Sequence, residues 1–261
     1  ARITSKSFNR WKYFSRFSSK IFGSYDLCLT SSLDTKKKLE NLNAKNIKFL
    51  GNIKFSSDNE IQNIENKNKN KLKKYKTWCA ASLHRGEEEL CINAHIKVNK
   101  AHKNLLTILI PRHIKNVKKI YSITKRYQLN AQILNSKENI KKNLDILIVN
   151  SFGVLNKYFN YCDFVFMGKS FLKKFEYNGG QNPIEAAKFG CKIFHGPYTY
   201  NFQEVYKLLN SYSITETVKD DKQLSIKLDK AFKNKKILKN KNIKKINNYG
   251  KKILDTTIKE I

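Results

Sequence analysis

Several patterns that would assign a chemistry directly are missing from this sequence. Its five cysteines are odd in number, widely spaced and include no C-x-x-C pair, which supports neither a disulfide framework nor a zinc site and favours a reducing cytoplasm. No G-x-x-x-x-G-K-[S/T] or G-x-G-x-x-G segment is present, so no P-loop or dinucleotide fingerprint is indicated. Paired acids placed for a metal and a serine–histidine–aspartate arrangement are also absent. We therefore expect no bound metal and no organic cofactor.

Long apolar runs and an initiator methionine are missing too. The longest apolar runs, such as Ile146-Leu147-Ile148-Val149, are far shorter than the roughly 20 residues of a membrane span, and no signal peptide is visible. The chain begins at Ala1, and its single methionine is Met167. We therefore expect a fragment or a processed product.

Acidic residues are scarce relative to basic ones. Lys and Arg total 52 against 21 Asp and Glu, which gives a net charge of +31. This excess favours an anionic partner: nucleic acid, phosphorylated lipid or a membrane surface. The alternative is that lysine, abundant here together with asparagine and isoleucine, merely solvates the surface, notably in the tracts 67–76 and 233–245, which resemble linkers or solvated helix faces. Hydrophobic residues, at 40%, are sufficient for a folded core.

Apolar runs typical of strands alternate with segments typical of helices. We predict strands at 27–29, 47–50, 77–81, 105–110, 131–134, 144–149, 164–167 and 192–195, and helices at 32–42, 87–98 and 114–127. A polar tract rich in Lys and Asn at 59–75 interrupts this alternation and predicts a linker. The rhythm is that of β–α units, which form a mostly parallel sheet.

Polar or glycine-bearing loops follow five of the predicted strands. In parallel sheets ligands bind at the carboxyl ends of the strands, so these loops predict a ligand site. Each loop alone is weak evidence for a ligand site, whereas the five loops together are informative. The loops are at 82–87, 111–113, 150–153, 168–170 and 196–198.

The segment 179–187 is a glycine turn that runs into a helix. Its two glycines permit positive φ and close approach of a ligand. Asn182 suits the N-cap, Pro183 the first helical position, and Glu185 the capping-box position three residues after the cap. A helix start exposes free N–H groups and positive dipole charge, so the segment predicts a phosphate site.

Two of the loops carry side chains suited to an anionic ligand. Arg112 directly follows a buried strand, where its guanidinium can bind a phosphate or carboxylate; the alternative is a surface arginine in a turn. His84 and His113 can donate hydrogen bonds to a ligand or serve structure alone. Ser82 and Gly86 flank His84 in the same loop.

Lysine and glutamate side chains elsewhere have two interpretations each. Lys54 lies before the linker, where it can reach into an interdomain cleft and neutralise a leaving phosphate, or it is one surface lysine among many. The run Glu87-Glu88-Glu89 complements the dipole of the helix that it opens. Glu185 can serve the cap, a ribose hydroxyl, or both.

Taken in order, these segments resemble the 3-deoxy-D-manno-octulosonic acid (Kdo) transferases, which add Kdo to the lipid A precursor. The resemblance extends over essentially the whole chain. The segments that carry it are 1–7 (ARITSKS), 51–55 (GNIKF), 81–88 (ASLHRGEE), 111–113 (PRH), Cys162-Asp163 with Phe166 and Gly168, 179–185 (GGQNPIE) and 196–202 (GPYTYNF).

The resemblance implies an α/β fold of the glycosyltransferase B type. Such a fold has two Rossmann-like domains, and only the end of the N-terminal one would lie in this chain. The implied division is the C-terminal part of the acceptor-binding domain (1–58), a linker (59–75), a Rossmann-like donor domain (76–236) and a C-terminal helix that packs back toward the first domain (237–261).

The resemblance also implies an activity and its partners. The expected reaction is an inverting, metal-independent transfer of Kdo from CMP-Kdo to a phosphorylated lipid A precursor, lipid IVA, in lipopolysaccharide core synthesis. The protein would work at the cytoplasmic face of the bacterial inner membrane, bound to its anionic surface peripherally or through an upstream anchor. No nucleic-acid partner is expected.

Individual residues are assigned by matching the family pattern. Lys54 matches a residue that stabilises the transition state, whereas the general-base glutamate belongs to a region upstream of Ala1, so we expect this chain to bind donor without turnover. The CMP-contacting matches are Pro111, Arg112, Phe152, Gly153, Val154, Asn182, Pro183, Ile184 and Glu185. Further donor-site candidates are Ser82, His84, Gly86, His113, Gly179, Gly180 and Asn201.

Some positions depart from the family pattern and leave alternatives open. Val154 and Arg85 stand where glutamate is usual, Lys169 stands where glycine is common, and residues 171–178 lengthen the loop before the glycine turn. A related nucleotide-sugar transferase with a different sugar, or an inactive relative, is therefore an alternative. A basic nucleic-acid-binding protein is a further one, which the absence of a recognised nucleic-acid motif disfavours.

Overall fold

The computed structural model describes residues 1–57, 66–234 and 238–261, with no side-chain description for Leu238. The chain divides into two compact units, one of Ala1–Asp58 with Ile246–Ile261 and one of Asn59–Lys245. Residues 59–65 of the predicted linker and the predicted boundary at 236–237 lie outside the described residues. The described part of the linker contains a short helix, Lys69–Leu72.

Within its described residues, the first unit holds two short parallel strands, three complete α-helices and residues 246–258 of the last helix. Its helices α1, α2 and α3 span Ser5–Tyr13, Ser15–Phe22 and Leu33–Glu40, and its strands β1 and β2 span Cys28–Thr30 and Ile47–Phe49. The helix predicted at 32–42 begins where its cap places it, because the Ser32 hydroxyl accepts the Thr35 N–H at 3.1 Å. Residues 246–258 of the last helix pack here, with the rings of Tyr249 and Phe55 centred 5.1 Å apart.

The second unit is built on seven strands. Strands β3 to β9 span Lys76–Leu83, Leu105–Pro111, Ala131–Leu134, Ile146–Val149, Phe164–Met167, Lys192–His195 and Thr215–Thr217. Helices α4 to α11 span Lys69–Leu72, Glu88–Asn99, Val117–Arg126, Leu155–Phe159, Ile184–Lys188, Gln203–Ser211, Asp221–Lys233 and Leu238–Ile258, the last of which continues into the first unit.

The sheet confirms the predicted parallel arrangement. Its strand order is β5-β6-β4-β3-β7-β8-β9, and every neighbouring pair is parallel. Trp78, Phe166 and Phe194 are almost fully buried in the core cluster that this sheet shares with α5 and α10. Burial on both faces explains why the central strands are continuous apolar runs.

The chain switches direction within the sheet at β3. From β3 it proceeds to β4 on one side, whereas β7, the other neighbour of β3, proceeds to β8 on the opposite side. Ligands of open parallel sheets bind at such a switch point, outside the carboxyl ends of the strands. The loops after β3 and β7 are therefore where a ligand is expected.

The lysine tracts are less solvated than predicted. Lys71 Nζ donates to the Ile140 carbonyl at 2.6 Å, and Lys245 Nζ donates to the Tyr212 carbonyl at 3.2 Å. Lys239 Nζ lies 3.6 Å from an Asp163 carboxylate oxygen. These long side chains satisfy carbonyl and carboxylate groups of the second unit, which sequence composition alone does not reveal.

A buried histidine should make stability depend on pH. His95 is 0% exposed, its Nδ1 lies 2.8 Å from Thr107 Oγ1, and burial lowers its pKa to about 4, opposed weakly by Asp145. In the unfolded chain the pKa of this histidine is about 6.5, so between pH 6.5 and pH 4 the unfolded state binds a proton that the folded state does not bind. The free energy of unfolding should therefore fall, by about 3 kcal/mol, as the pH is lowered from 6.5 to 4. Urea titrations of the wild type and His95→Asn at pH 7, 5.5 and 4.5 would test this; parallel profiles would contradict it.

Candidate functional site

His84 occupies the centre of the loops at the switch point. Its ring centroid lies 5.7 Å from that of His113, in the loop after β4, and 5.4 Å from that of Phe175, in both cases edge to face. Its Nε2 lies 3.3 Å from the Gln181 amide nitrogen. The structure thus brings together His84 and His113, which the sequence predicted separately, and adds Phe175 and Gln181, which it did not.

Positive charge concentrates around this histidine. The pKa of His84 is lowered to about 4, first by burial and then by the charges of Lys169, His113, Arg112 and Lys174. Burial and the neighbouring Arg112 also lower the pKa of Lys169. His84 is therefore neutral at pH 7, where it can exchange hydrogen bonds with a ligand without adding charge.

We call Arg112, Lys169 and Lys174 the basic cluster. Among the residues that the structure describes, no ion pair involves the charged group of any of the three; the Lys174 ammonium donates to the Arg85 carbonyl at 2.9 Å and lies 5.1 Å from the centre of the Phe175 ring. Arg112 is exposed and Lys169 is partly exposed. Like charges held together without counterions favour binding of an anion.

Glu87 links the loop after β3 to the loop after β7 at the switch point. One carboxylate oxygen accepts the backbone N–H groups of His84 at 3.0 Å and Lys169 at 2.7 Å; the other accepts those of Ser170 at 2.9 Å and Phe171 at 3.0 Å. The side chain is fully buried, and burial raises its pKa while these four hydrogen bonds oppose the rise.

The predicted helix-dipole role suits Glu88 and Glu89, which lie in the first turn of α5, whereas Glu87 has the additional role of binding two loops together. Helix α5 begins at Glu88, and the Glu87 carboxylate turns toward the loop after β7. In the sequence, Glu87 is the first of three consecutive glutamates. No feature of the neighbouring sequence indicates that its carboxylate binds another loop.

Lys169 has an unusual backbone conformation. Its φ is +57°, which costs a non-glycine residue on the order of 1 kcal/mol. The N–H group of Lys169 is held by Glu87, and its carbonyl accepts the Gly180 N–H at 2.6 Å. These two hydrogen bonds fix the direction in which the Lys169 side chain extends from the backbone.

The glycines at 179 and 180 are required by the packing of the chain itself. A Cβ at Gly179 would lie 2.5 Å from the carbonyl oxygens of Phe175 and Tyr198, and Gly180 has φ of +87° with the Thr199 backbone 3.0 Å from the Cβ position. Asn201 donates its backbone N–H to the Gly179 carbonyl at 2.8 Å. The packing of the chain therefore requires both glycines, and the close approach of a ligand at Gly179 stays a prediction.

The helix after this turn begins one residue later than predicted, and Asn182 still accepts an N–H group of its first turn. Helix α8 begins at Ile184 and has five residues; Asn182 Oδ1 accepts the Ile184 N–H at 3.1 Å, and Pro183 precedes the helix. Glu185 is exposed and, within the described part of the chain, makes no capping-box bond to Asn182.

Other predicted site residues lie around the same loops. Ser82 is buried with φ of +55°, and its carbonyl would lie 2.6 Å from a Cβ at Gly168. Gly86, with φ of +101°, donates its N–H to Glu88 at 2.6 Å. Pro111 is the last residue of β4 and is buried. These residues shape the loops, and their side chains contribute no charge.

Residues 152–154 do not contact the basic cluster, and Lys54 belongs to the other unit. Phe152 is exposed and Gly153 has φ of +69°, while Val154, at the start of α7, lines a separate cleft of about 960 Å³ with Tyr158 and Asn135. Across the described residues, no hydrogen bond or ring contact joins 152–154 to the cluster. Lys54 is exposed within the first unit, and Asn52 Oδ1 accepts its N–H at 3.1 Å.

Metal-ligating groups and membrane-spanning helices are two further features to consider in the described residues. In the ranges 1–57, 66–234 and 238–261, no three His, Cys, Asp or Glu side chains come together in a way that suits a metal ion. Over the same described ranges, every helix is too short or too polar to cross a bilayer.

Comparison with known proteins identifies relatives of both units. The family described as 3-deoxy-D-manno-octulosonic-acid transferase (kdotransferase) matches residues 1–57. Transferases of that name are 27% identical in Aquifex aeolicus, over 82% of this chain and 56% of the relative, and 28% identical in Rickettsia prowazekii, over 98% and 56%. The Haemophilus influenzae enzyme is 24% identical over 80% of this chain and 49% of its own. The chain thus spans about half the length of the curated relatives that it matches.

Solved structures show the same fold. The C-terminal CMP-Kdo binding domain of WaaA from Acinetobacter baumannii superposes with a TM-score of 0.61 at 18% identity, over 74% of this chain and 97% of that domain. HepE from Anabaena, in complex with UDP and glucose, gives a TM-score of 0.52 at 10% identity, over 96% of this chain and 68% of that one. These likenesses confirm the predicted glycosyltransferase B type of α/β fold. Together with the sequence relatives, they show that the chain is similar to the 3-deoxy-D-manno-octulosonic acid transferases in both of its units.

Proposed function

We propose that this chain carries the donor site of a glycosyltransferase that takes Kdo from CMP-Kdo. The observation that carries the proposal is the basic cluster at the sheet's switch point, where Arg112, Lys169 and Lys174 have no counterion among the described residues. Both the phosphate and the Kdo carboxylate of such a donor are anions, so the positive charge of the cluster is complementary to the charge of the donor. A relative with the same fold is a CMP-Kdo binding domain by its own description, which supports this ligand class.

Each residue of the site has a proposed role. The Arg112 guanidinium forms bidentate hydrogen bonds with the donor phosphate, and Lys169 neutralises the charge that develops on this phosphate as its bond to the sugar breaks. His84, neutral at pH 7, exchanges a hydrogen bond with the donor through the nitrogen that faces Gln181. Lys54, in the first unit, is proposed to stabilise the transition state, on the family resemblance. The CMP contacts of 152–154 and 182–185 are likewise proposed on the resemblance alone.

The proposed reaction is an inverting transfer without a metal to a phosphorylated lipid A precursor. In a direct displacement the acceptor hydroxyl attacks the anomeric carbon from the face opposite to CMP, and CMP leaves with the bonding electron pair. Cations at the phosphate stabilise this leaving group in the way that a metal ion does in other transferases. No residue of this chain is assigned as the base that takes the hydroxyl proton, so we expect donor binding without turnover.

The proposed place of this reaction is the cytoplasmic face of the bacterial inner membrane. The net charge of +31 supports association with an anionic surface, since each Lys or Arg near such a surface contributes about 1 kcal/mol. The lipid acceptor would be presented at that surface.

Calorimetric titration of the chain with CMP, with UDP and GDP as controls, tests the donor site. We expect CMP to bind at least tenfold more tightly than either control. Preferential binding of UDP would favour a related transferase with another sugar nucleotide, an alternative that the UDP complexes of HepE make concrete. A folded chain that binds none of the three nucleotides would refute the donor-site proposal.

Replacing Lys169 with glycine should separate binding from stability. Glycine relieves the left-handed backbone at this position, and its own chain entropy offsets that gain, so the free energy of unfolding should stay within about 1 kcal/mol of the wild type. The loss of one phosphate contact should weaken CMP about tenfold. Urea denaturation and calorimetry on the same sample measure both quantities. Unchanged CMP affinity would remove Lys169 from the site.

A further inference from the structure

Residues 171–178, which lengthen the loop after β7, lie against the loop after β3. We call these residues the inserted segment. Each of the four consecutive residues 84–87 is contacted by one of its residues. The Phe171 N–H donates to the Glu87 carboxylate at 3.0 Å, a Cβ at Gly86 would lie 2.9 Å from the Leu172 side chain, the Lys174 ammonium donates to the Arg85 carbonyl at 2.9 Å, and the Phe175 ring packs on that of His84. Contacts with every residue of the neighbouring loop indicate that the inserted segment forms one side of the candidate site.

The end of the inserted segment is held by the loop after β8. The Asn201 side-chain amide donates to the Asn178 carbonyl, and the Asn201 backbone N–H donates to the Gly179 carbonyl at 2.8 Å. Within the segment, the Asn178 N–H donates to the Phe175 carbonyl at 3.2 Å. Hydrogen bonds before and after Phe175 therefore fix its place in the chain.

The Phe175 ring connects the inserted segment to the His84 side chain. It is 7% exposed, and its centroid lies 5.4 Å from that of His84, with the two planes at 73°. The His113 ring meets His84 in a similar way, at 5.7 Å and 81°. Edge-to-face contacts are a favourable arrangement of aromatic rings, so two of them on one imidazole limit its rotation.

We infer that Phe175 is a positioning residue of the ligand site, whose ring holds the His84 imidazole in one orientation and shields it from water. In this orientation His84 Nε2 lies 3.3 Å from the Gln181 amide nitrogen, beside the segment that leads into α8. An anionic ligand then meets a fixed, uncharged hydrogen-bonding group. The inference rests on the proposed function only for the identity of that ligand.

Burial is the main reason why His84 carries no proton at pH 7. The charged or titratable groups that face it are Arg112 and His113 from the loop after β4, Lys169 and Lys174 from the loop after β7, and Glu87 from its own loop, whose carboxylate accepts the His84 N–H. Burial is the largest cause that lowers the pKa of His84 to about 4, and the positive charges of the other loops add to it. Removal of the Phe175 ring would expose the imidazole to water while all of these charges stay in place.

NMR titration of the histidine signals tests this role without any ligand. Phe175→Ala should raise the pKa of His84 from about 4 toward its ordinary value of about 6.5, with the His84 signal assigned by its loss in His84→Gln. Phe175→Leu, which keeps apolar bulk and loses the ring, should give a smaller rise and serves if the alanine variant does not fold. An unchanged pKa of His84 in a folded Phe175 variant would overturn the inference.

Phe232→Ala is the matched control. Phe232 is also 7% exposed and also packs on a histidine, with its centroid 5.3 Å from that of His102, but it lies in α10. Its replacement removes the same buried ring and should leave the pKa of His84 at about 4. An equal rise in both variants would assign the effect to general loosening of the fold and reject a specific role for Phe175.

CMP titration of the same proteins between pH 8 and pH 5.5 separates positioning from folding. The ratio of the association constant of Phe175→Ala to that of the wild type should rise by about threefold or more as the pH is lowered, because a protonated His84 attracts the anionic nucleotide. Titration of the nucleotide itself cancels in this ratio. A ratio that is low and equal at every pH would show a merely structural role and would overturn the inference. A folded wild type that binds no CMP would refute the donor-site proposal alone, since the pKa of His84 still decides the role of Phe175.

Discussion

Glu87→Ala should lower the free energy of unfolding by about 3 to 5 kcal/mol. The substitution removes one buried carboxylate and leaves the N–H groups of His84, Lys169, Ser170 and Phe171 without their acceptor. Unmade hydrogen bonds in a buried place cost far more than their net contribution when they are made. Urea denaturation followed by circular dichroism at pH 7 measures the effect.

Glu88→Ala is the matched control for this change. Its side chain is also buried and is the next in sequence, but among the described residues the one hydrogen bond it accepts is from the Gly86 N–H, at 2.6 Å. We expect it to cost about 1 to 2 kcal/mol. The loss of unfolding free energy in Glu87→Gln should lie between the losses in the two alanine variants. The amide oxygen can still accept two N–H groups, whereas the amide nitrogen faces the other two. Equal losses at 87 and 88 would contradict the proposed joining of the two loops.

Arg112→Ala should weaken CMP binding by about 10- to 100-fold, since a hydrogen bond to a charged group contributes roughly 1.5 to 3 kcal/mol. Arg112 is exposed, and within the described residues its guanidinium has no ion pair, so its removal should leave the fold intact. Burial contributes little at this position, and the loss should appear in affinity alone. Calorimetry with CMP and a parallel denaturation curve measure both quantities.

Arg126→Ala provides the control for net charge. Arg126 is another exposed arginine of the second unit, at the end of α6, and its removal changes the charge of the protein equally. We expect its CMP affinity to remain within about twofold of the wild type, since an exposed charge next to the acidic Glu88 and Glu89 acts weakly through solvent. If both arginine variants lose affinity alike, general attraction explains the binding and the specific role of Arg112 is rejected.

The parts of the fold that the sequence predicted are those fixed by local pattern. β5, β7 and β8 begin and end where their apolar runs do, because neighbouring elements bury both faces of these strands. Helix α6 follows from the spacing of Val117, Ile120 and Ile123, all buried. By contrast, β9 is the polar segment Thr-Glu-Thr at the sheet edge, where pairing alone makes the strand, and no pattern predicted it.

The site was predicted less completely because its geometry depends on distant residues. Arg112 and His84 were predicted from their places after apolar strands, and strand order does bring their loops together. Glu87 and Phe175 could not be predicted from their own neighbours, since each is placed by contacts from another part of the chain. Lys169 was noticed only as a departure from a glycine pattern, although it carries one of the charges at His84.

The strand order also determines when the site can exist during synthesis. Trp78 of β3 pairs with Thr107 on one side and with Phe164 on the other, so the two neighbours of β3 leave the ribosome far apart in time. Until β7 emerges, β3 is an open edge able to pair with another chain, and the loop that Glu87 must hold has not been made. Non-local pairings of this kind also slow folding. The nascent protein therefore passes through an interval in which the strand beside its proposed ligand site is an open, aggregation-prone edge.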